Sequence, residues 1–239
     1  MSNPFFRFFD AHRPFIGSDS SKWPMDWKEI RWKTYPRCPA FSLPAAKSIP
    51  PISLTDALVL RKSDRSFKGA CLATQEISSL LYNSCGLIKP QTNLNKSRRS
   101  YPSGGGLYPL EIYPLIIKGS EELKAGIYHY NVLEHKLEKI SDYSIKKILS
   151  AFHYTWVKDA AIVFIFSFVE TRTKPKYGNF AYKIGLIEAG HISQNMYLIS
   201  AALNLKCSAL GGFASNILNE ALRLYSPQET PFYSIAIGK

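Results

Sequence analysis

The stretch from Ile184 to Leu205 most limits what this chain can fold into. Apolar Ile187, Ile192, Met196, Ile199 and Leu203 recur at three to five residues, and Glu188 is the only acidic or basic residue among them. A helix of that kind has no charged face to give to water, so it is expected to be buried on most sides, inside a body or at a contact between subunits. Elsewhere the longest apolar run, Ala160 to Val169, is about half of the ~20 residues a membrane helix requires. Its Ile, Val and Phe content predicts a buried strand instead.

The other elements group around these two. Ser53-Leu54-Thr55-Asp56 opens a short helix through Leu60, and Thr74 caps a second helix with Ile77, Leu80 and Leu81 on one face and Gly86 as its stop. Further strands are predicted at 111–118, 126–130, 135–140 and 232–238. Helices and strands that do not alternate strictly predict an α+β fold. Residues 1–51 read differently: they hold eight of the fifteen prolines and Trp23, Trp27 and Trp32, with no sustained period. Proline-rich chain has fixed dihedrals and little internal hydrogen bonding, so this arm is expected to lie on a surface with its tryptophans as anchors. The division predicted is an arm over 1–51 and a domain over 52–239.

Composition narrows the function classes. Over 239 residues, 46% apolar and 20% charged side chains are the opposite of a disordered chain. A formal charge of +12 calls for a polyanion, an anionic cofactor or an acidic partner. Cys38, Cys71, Cys85 and Cys207 have no CxxC spacing, which points to reduced thiols and against a structural zinc. Near the N-terminus, Arg7, Asp10 and Arg13 break up Phe5, Phe6, Phe8 and Phe9 before a signal-peptide core forms, so the expected location is the cytoplasm. Glu188 and His191 have the spacing of a di-iron helix but no second copy, and no metal site is expected. His191 is read as a packed helix residue.

Three segments carry candidate chemistry. Arg61-Lys62-Ser63-Asp64-Arg65-Ser66-Phe67 places three cations and two hydroxyls together, donors suited to a phosphate as well as to a solvated turn. Tyr101-Pro102-Ser103-Gly104-Gly105-Gly106-Leu107-Tyr108-Pro109 lets backbone N–H groups approach a ligand, or forms a tight turn. No Gly-Lys-Ser/Thr follows it and it opens a strand, which argues against ATP hydrolysis and a Rossmann nucleotide site. Leu210-Gly211-Gly212-Phe213 repeats the glycine motif after the long helix.

In this order the three segments resemble the nitroreductase-like flavoproteins, and within them the SagB-type (ThcOx) azoline dehydrogenases. The resemblance runs from about residue 55 to 239. It rests on Arg61-x-Ser63-x-Arg65-x-Phe67, on Tyr101 to Gly105 continuing through Leu107-Tyr108-Pro109-Leu110-Glu111, and on Glu188-Ala189-Gly190-His191-x-x-Gln194-Asn195 with Leu198. It implies a central, mainly antiparallel sheet flanked by helices, and an interlocked homodimer with FMN at the subunit interface. Arg61, Lys62, Ser63 and Arg65 would grip the FMN phosphate and ribityl chain, with Lys239 near the phosphate. Ser103, Gly104 and Gly105 would line the ring from the facing loop, and Gly211 and Gly212 would approach its N5 edge. Pro102, Gln194 and Leu210 complete the implied cofactor contacts.

The activity implied is dehydrogenation of a thiazoline or oxazoline ring on a ribosomal peptide or related natural product. Tyr182 and Lys183 match the Lys/Tyr pair that removes the proton in that branch. The charge and the arm suggest a cyclase or leader-binding partner. The alternative within the superfamily is an NAD(P)H-dependent reductase of quinones or nitroaromatics. A rival from another class is a basic nucleic-acid module built on Lys96, Arg98 and Arg99 beside a stacking Tyr101. The scattered basic residues argue against it, so no nucleic acid and no membrane are expected as partners.

Overall fold

The computed structural model describes residues 24, 29–46, 49–89 and 92–239. Trp23, Trp27 and the N-terminal phenylalanines therefore lie outside the described residues. The elements run β1 (Ala40–Ser42), α1 (Leu54–Leu60), α2 (Thr74–Cys85), β2 (Leu87–Lys89), β3 (Arg98–Arg99), β4 (Leu110–Ile116), β5 (Gly126–Asn131) and β6 (Lys136–Ser141). They continue with α3 (Ile145–Leu149), β7 (Ile162–Val169), α4 (Glu170–Tyr177), α5 (Phe180–Ala202), β8 (Lys206–Leu210), α6 (Ser215–Leu222) and β9 (Glu229–Gly238).

Seven strands form one sheet in the order β1-β6-β5-β4-β7-β9-β8, with every pair antiparallel. The apolar run becomes the central strand β7, paired with β4 from Leu110↔Phe168 to Ile116↔Ile162 and with β9 on its other side. Its lack of alternation has a direct cause: helices cover both faces. Phe164, Phe166 and Phe168 join the core that includes Leu80 and Leu81 of α2 and Ile192 and Met196 of α5. Val163 and Ile165 join the opposite core with Ile148 of α3 and Leu218 and Leu222 of α6. The expected α+β fold with a mainly antiparallel sheet flanked by helices is what the chain adopts.

Local chemistry sets most element ends. Ser53 caps α1, its hydroxyl oxygen accepting the Asp56 N–H at 3.0 Å. Ala73, not Thr74, is the N-cap of α2, and the Glu76 carboxylate accepts the Ala73 N–H at 2.7 Å in place of a hydroxyl cap. Gly86 ends α2 as expected. The long helix is displaced toward the N-terminus of its predicted span, because Asn204 takes a left-handed φ of 54° and turns the chain into β8. It is also less covered than its composition predicts: Leu186 and Ile187 are 53% and 48% exposed, and Gly190, His191 and Gln194 continue the same open stripe. His191 is thus exposed in the single chain. The short helices α4 and α6 escape the sequence reading, α4 because it is polar and contains Pro175.

The described part of the arm lies on the body. Ile30 and Leu43 are buried in the core, Trp32 packs against it, and Ala40–Ser42 extends the sheet as an edge strand on β6. Arg99 and Tyr101 are only 4% and 2% exposed, so the cation and the stacking ring proposed for a nucleic-acid patch face the interior. Among the described residues no helix is long and apolar enough to cross a membrane.

Candidate active site

The basic segment after α1 is extended and strapped to the sheet: the Asp64 N–H donates to the Cys207 carbonyl at 2.9 Å and the Lys68 N–H to the Lys239 carbonyl at 2.7 Å. Successive side chains of extended chain point to opposite sides, and that alternation sorts the segment. On one side, the Arg61 guanidinium lies over the Tyr197 ring at 5.8 Å and the Ser63 and Tyr197 hydroxyls share a hydrogen bond of 2.8 Å. Arg65 follows, with Nε donating to Ser208 Oγ at 3.3 Å and the guanidinium over Trp156 at 5.7 Å. Tyr197 is fixed in turn by the Ala209 N–H, which donates to its oxygen at 2.8 Å.

Lys62 and Asp64 instead line a cleft of about 690 Å³, together with Lys68, Lys206 and Lys239. Lys62 pairs with Asp64 at 3.2 Å, and Lys239 with Glu76 at 3.4 Å. Hydrogen bonds from the Ser66 hydroxyl and N–H, then Lys62, hold the Asp64 carboxyl down at about 2. The predicted phosphate grip is therefore divided: Arg61, Ser63 and Arg65 come together, Lys62 and Lys239 both line the cleft, and Tyr197 borders both groups.

The glycine loop is held from inside by α5. The Ser103 hydroxyl and the Gly104 N–H both donate to Glu188 Oε1, at 2.8 and 2.9 Å, and Ser103 Oγ accepts the Tyr108 N–H at 2.8 Å. Gly105 has φ +65°, and a Cβ there would stand 2.7 Å from the Tyr177 hydroxyl and 2.8 Å from Lys176 Nζ. The left-handed conformation favours glycine, and any larger residue would also have to displace the ends of Tyr177 and Lys176. Pro102 is exposed at the loop's edge. From Glu188 to Tyr197 the α5 axis advances about 13 Å at ~1.5 Å per residue, so in one chain the glycine loop and the arginine cradle occupy different stations along the helix. Gln194 lies between them on the open stripe.

At the third segment, Leu210 buries its side chain in the core while Gly211 is exposed, with open space where a Cβ would be. A Cβ at Gly212 would stand 3.7 Å from the His153 ring. The Tyr182 hydroxyl donates to Glu170 Oε1 at 2.8 Å, and Lys183 Nζ lies 5.4 Å from the Phe180 ring centre. Burial and then Glu170 raise the Tyr182 pKa.

Sequence reasoning passed over three residues of this region. Lys176 and Tyr177 form another Lys/Tyr pair ahead of α5, a legible signal, and both are buried against Gly105. Burial lowers the Lys176 pKa and raises that of Tyr177. Tyr197 gave no signal, and the motif that contains Glu188 says nothing of its bonds to the glycine loop, since both roles come from what the fold brings to them. Beneath the loop lies a polar network that no motif announced. His129, fully buried, is bonded through Nε2 to Glu111 at 2.8 Å and through Nδ1 to Glu138 at 3.0 Å. Arg172 pairs with Glu111 and donates to the Tyr108 carbonyl at 2.8 Å, tying the network to the end of the glycine loop.

A family model described as the nitroreductase family matches residues 58–239. The chain belongs to the nitroreductase family. It is 30% identical over 192 residues to the nitroreductase-family protein MJ1384 of Methanocaldococcus jannaschii, covering 79% of this chain and 91% of that one. It is 26% identical over 159 residues to the microcin B17-processing protein McbC of Escherichia coli, covering 64% of this chain and 57% of McbC. Among solved structures, a nitroreductase-family protein of Ralstonia eutropha shares the fold with a TM-score of 0.72 at 22% identity, over 95% of this chain and 97% of that one. The E. coli microcin synthetase McbBCD complex with truncated pro-MccB17 bound shares it with a TM-score of 0.64 at 21% identity, over 95% of this chain and 84% of the matched chain. The nitroreductase-family domain is thus an oxidoreductase fold with the arginine cradle, glycine loop and Gly211 all inside the matched span.

Proposed function

We propose that this oxidoreductase binds FMN between two copies of the chain and dehydrogenates thiazoline or oxazoline rings of a peptide to thiazoles or oxazoles. The observation that carries the cofactor reading is the cradle of Arg61, Ser63 and Arg65 braced on Tyr197. Two guanidinium groups and two hydroxyls suit a phosphate and its polyol chain, and the open backbone at Gly211 suits the edge of a flat ring. The substrate class rests on the similarity to McbC and to the trifolitoxin-processing protein TfxB of Rhizobium leguminosarum, 29% identical over 134 residues.

What the single chain leaves open supports the dimer reading. Leu54, Leu58, Val59 and Leu60 of α1 are 49–77% exposed, and α1 packs on α5, which itself leaves Leu186 and Ile187 open. Apolar surface on two adjoining helices is the signature of a subunit contact. A second copy would also bring its glycine loop to the arginine cradle, joining two stations that one chain keeps apart.

When bound, FMN supplies a hydride acceptor that can be reoxidised by dioxygen or another acceptor. The protein's part is to position the azoline and take the proton, since converting an azoline to an azole removes one hydride and one proton. Tyr182 and Lys183 are candidates for the proton, and Lys176 with Tyr177 is a second pair. Lys176 has the better tuning, because a lysine whose pKa is lowered by burial is a stronger candidate for a neutral base near pH 7. Replacing the base should cut peptide oxidation by about 10²–10⁴-fold while leaving the flavin spectrum intact. Lys176→Ala and Lys183→Ala, compared by anaerobic flavin reduction, decide between the pairs.

The purified protein should be yellow and should bleach anaerobically with an azoline-bearing peptide but not with NADPH. A colourless protein that does not take up FMN would overturn the cofactor reading. Bleaching by NADPH alone would establish the second reading, an NAD(P)H-dependent reductase of small electrophiles, which the 30% identity to MJ1384 favours.

A further inference from the structure

Glu188 is the one group that fastens both Ser103 and Gly104. Its side chain is 1% exposed, Oε1 accepts both loop donors, and Oε2 is buried with no hydrogen-bond partner among the described residues. A carboxylate normally surrounds both oxygens with donors, and one with a bare buried oxygen is poorly solvated as an anion. The surroundings compensate weakly. Arg99 of β3 is the nearby cation whose field favours the anion, and its effect ranks behind the Ser103 and Gly104 bonds. Tyr101 from the loop's own start and Tyr177 of α4 interact with the same carboxyl as neutral phenols, with Cys85 of α2 and Glu111 of β4 behind Tyr101. Lys176 of α4 approaches Gly105, and on α5 itself Lys183 and His191 are the adjoining titratable residues.

We propose that Glu188 is a proton-controlled positioning residue: ionised, it clamps the glycine loop through two charge-assisted hydrogen bonds, and protonated on the bare Oε2 it holds the same loop loosely. Two features give this a physiological range. Burial, opposed by the Ser103 and Gly104 bonds and then Arg99, pushes the Glu188 carboxyl up to about 7. A bond from a neutral donor to a carboxylate is also roughly twice as strong as the same bond to a neutral acid's carbonyl. The loop that lines the proposed flavin site would thus tighten as pH rises through neutrality. The clamp has the opposite effect on overall stability. A carboxyl with a raised folded pKa binds its proton more tightly folded than unfolded, so the protein loses stability as pH rises from the unfolded value of 4.5 toward 7. The anion is held at the expense of the fold, a pattern expected of a residue kept to position a site.

The decisive variant is Glu188→Gln, which keeps the shape and an acceptor oxygen but cannot ionise. The first readout needs no flavin: amide hydrogen exchange of Gly104 in the purified apoprotein between pH 6 and 8, corrected for the intrinsic pH dependence of exchange. Wild type should gain about tenfold protection across this range, and Glu188→Gln should show none. In parallel the melting temperature of wild type should fall from pH 5 to 8 more steeply than that of Glu188→Gln, so that the variant becomes the more stable protein above pH 7. FMN affinity followed by flavin fluorescence should strengthen with pH in wild type and stay flat in the variant. Equal protection of Gly104 in both proteins at all pH values would overturn the proposal, as would a Glu188→Gln protein less stable than wild type at pH 8. A failure of FMN to bind at all would refute the cofactor reading alone, because the exchange and melting readouts stand without it.

Discussion

Replacing His129 by alanine should lower stability by about 3–5 kcal/mol, the cost typical of breaking a buried ion pair by removing one partner. For a chain of this size that corresponds to a drop of about 6–20 °C in melting temperature. The reason is arithmetic on a closed cluster. Each imidazole nitrogen faces a different carboxylate, and since the His129 pKa is raised while Glu111 and Glu138 are held down, the ring is assigned as an imidazolium donating to both, with Arg172 neutralising the second negative charge. The remaining lone pairs are used as well, by the Asn131 amide on Glu138 Oε1 at 2.8 Å and the Tyr35 N–H on Glu138 Oε2 at 2.9 Å. Removing the ring leaves two buried carboxylates facing each other in its place.

The same cluster fixes the pH dependence on both sides. Burial opposes the His129 charge, but the bonds to Glu111 and Glu138 outweigh it and raise the pKa. A raised histidine pKa contributes stability that is fully present below the unfolded value of 6.5 and is lost as pH rises through the folded value. Burial likewise works against Glu111, and Arg172, followed by His129, holds its pKa down; Glu138 is lowered too, by His129 and Asn131 against burial. Those carboxylates contribute above their unfolded value of 4.5 and lose their contribution as pH falls through their folded values. Thermal melts from pH 3 to 10 check this: wild type should weaken at both ends, and His129→Ala should lose the alkaline limb. Arg172 also bonds the Tyr108 carbonyl, so the variant should loosen the end of the glycine loop, which hydrogen exchange at Tyr108 and Leu110 would show.

The second large effect concerns the arginine cradle. Arg61→Ala and Arg65→Ala should each weaken FMN binding by about 10–100-fold, the range expected for losing a hydrogen bond to a charged group. The double variant should purify without flavin colour. Both side chains are exposed at the edge of the body, so the apoprotein should fold with little change in melting temperature. Lys62→Ala and Lys239→Ala make the contrast, because those side chains line the neighbouring cleft and pair with Asp64 and Glu76. If they cost as much affinity as Arg61 and Arg65, the phosphate lies on the cleft side of the segment. Titration of apoprotein with FMN by fluorescence quenching measures all four.

What the sequence by itself determined is whatever depends on local pattern. The apolar run at 160–169, interrupted only by Ser167, read as a buried strand, the Ser53 and Gly86 punctuation set helix ends, and five of the sheet's strands were legible from composition and turns. The ordered motifs around Arg61, Ser103 and Glu188 were enough to suggest the family that the 58–239 match establishes. Tertiary structure decided what depends on elements distant in the chain. Alternation along an extended segment divided Arg61, Ser63 and Arg65 from Lys62, a distinction that the string of five polar residues does not carry. Lys176 and Tyr177 sat in a polar, proline-containing helix without period, and only the closeness of their end groups to Gly105 shows that they close on the glycine loop. The motif around Glu188 carried no hint of its bonds to the glycine loop, and His129 looked like an ordinary strand residue. Their ionisation and their partners depend on low-dielectric burial and on residues up to 85 positions away, and neither exists until the sheet and α5 have packed.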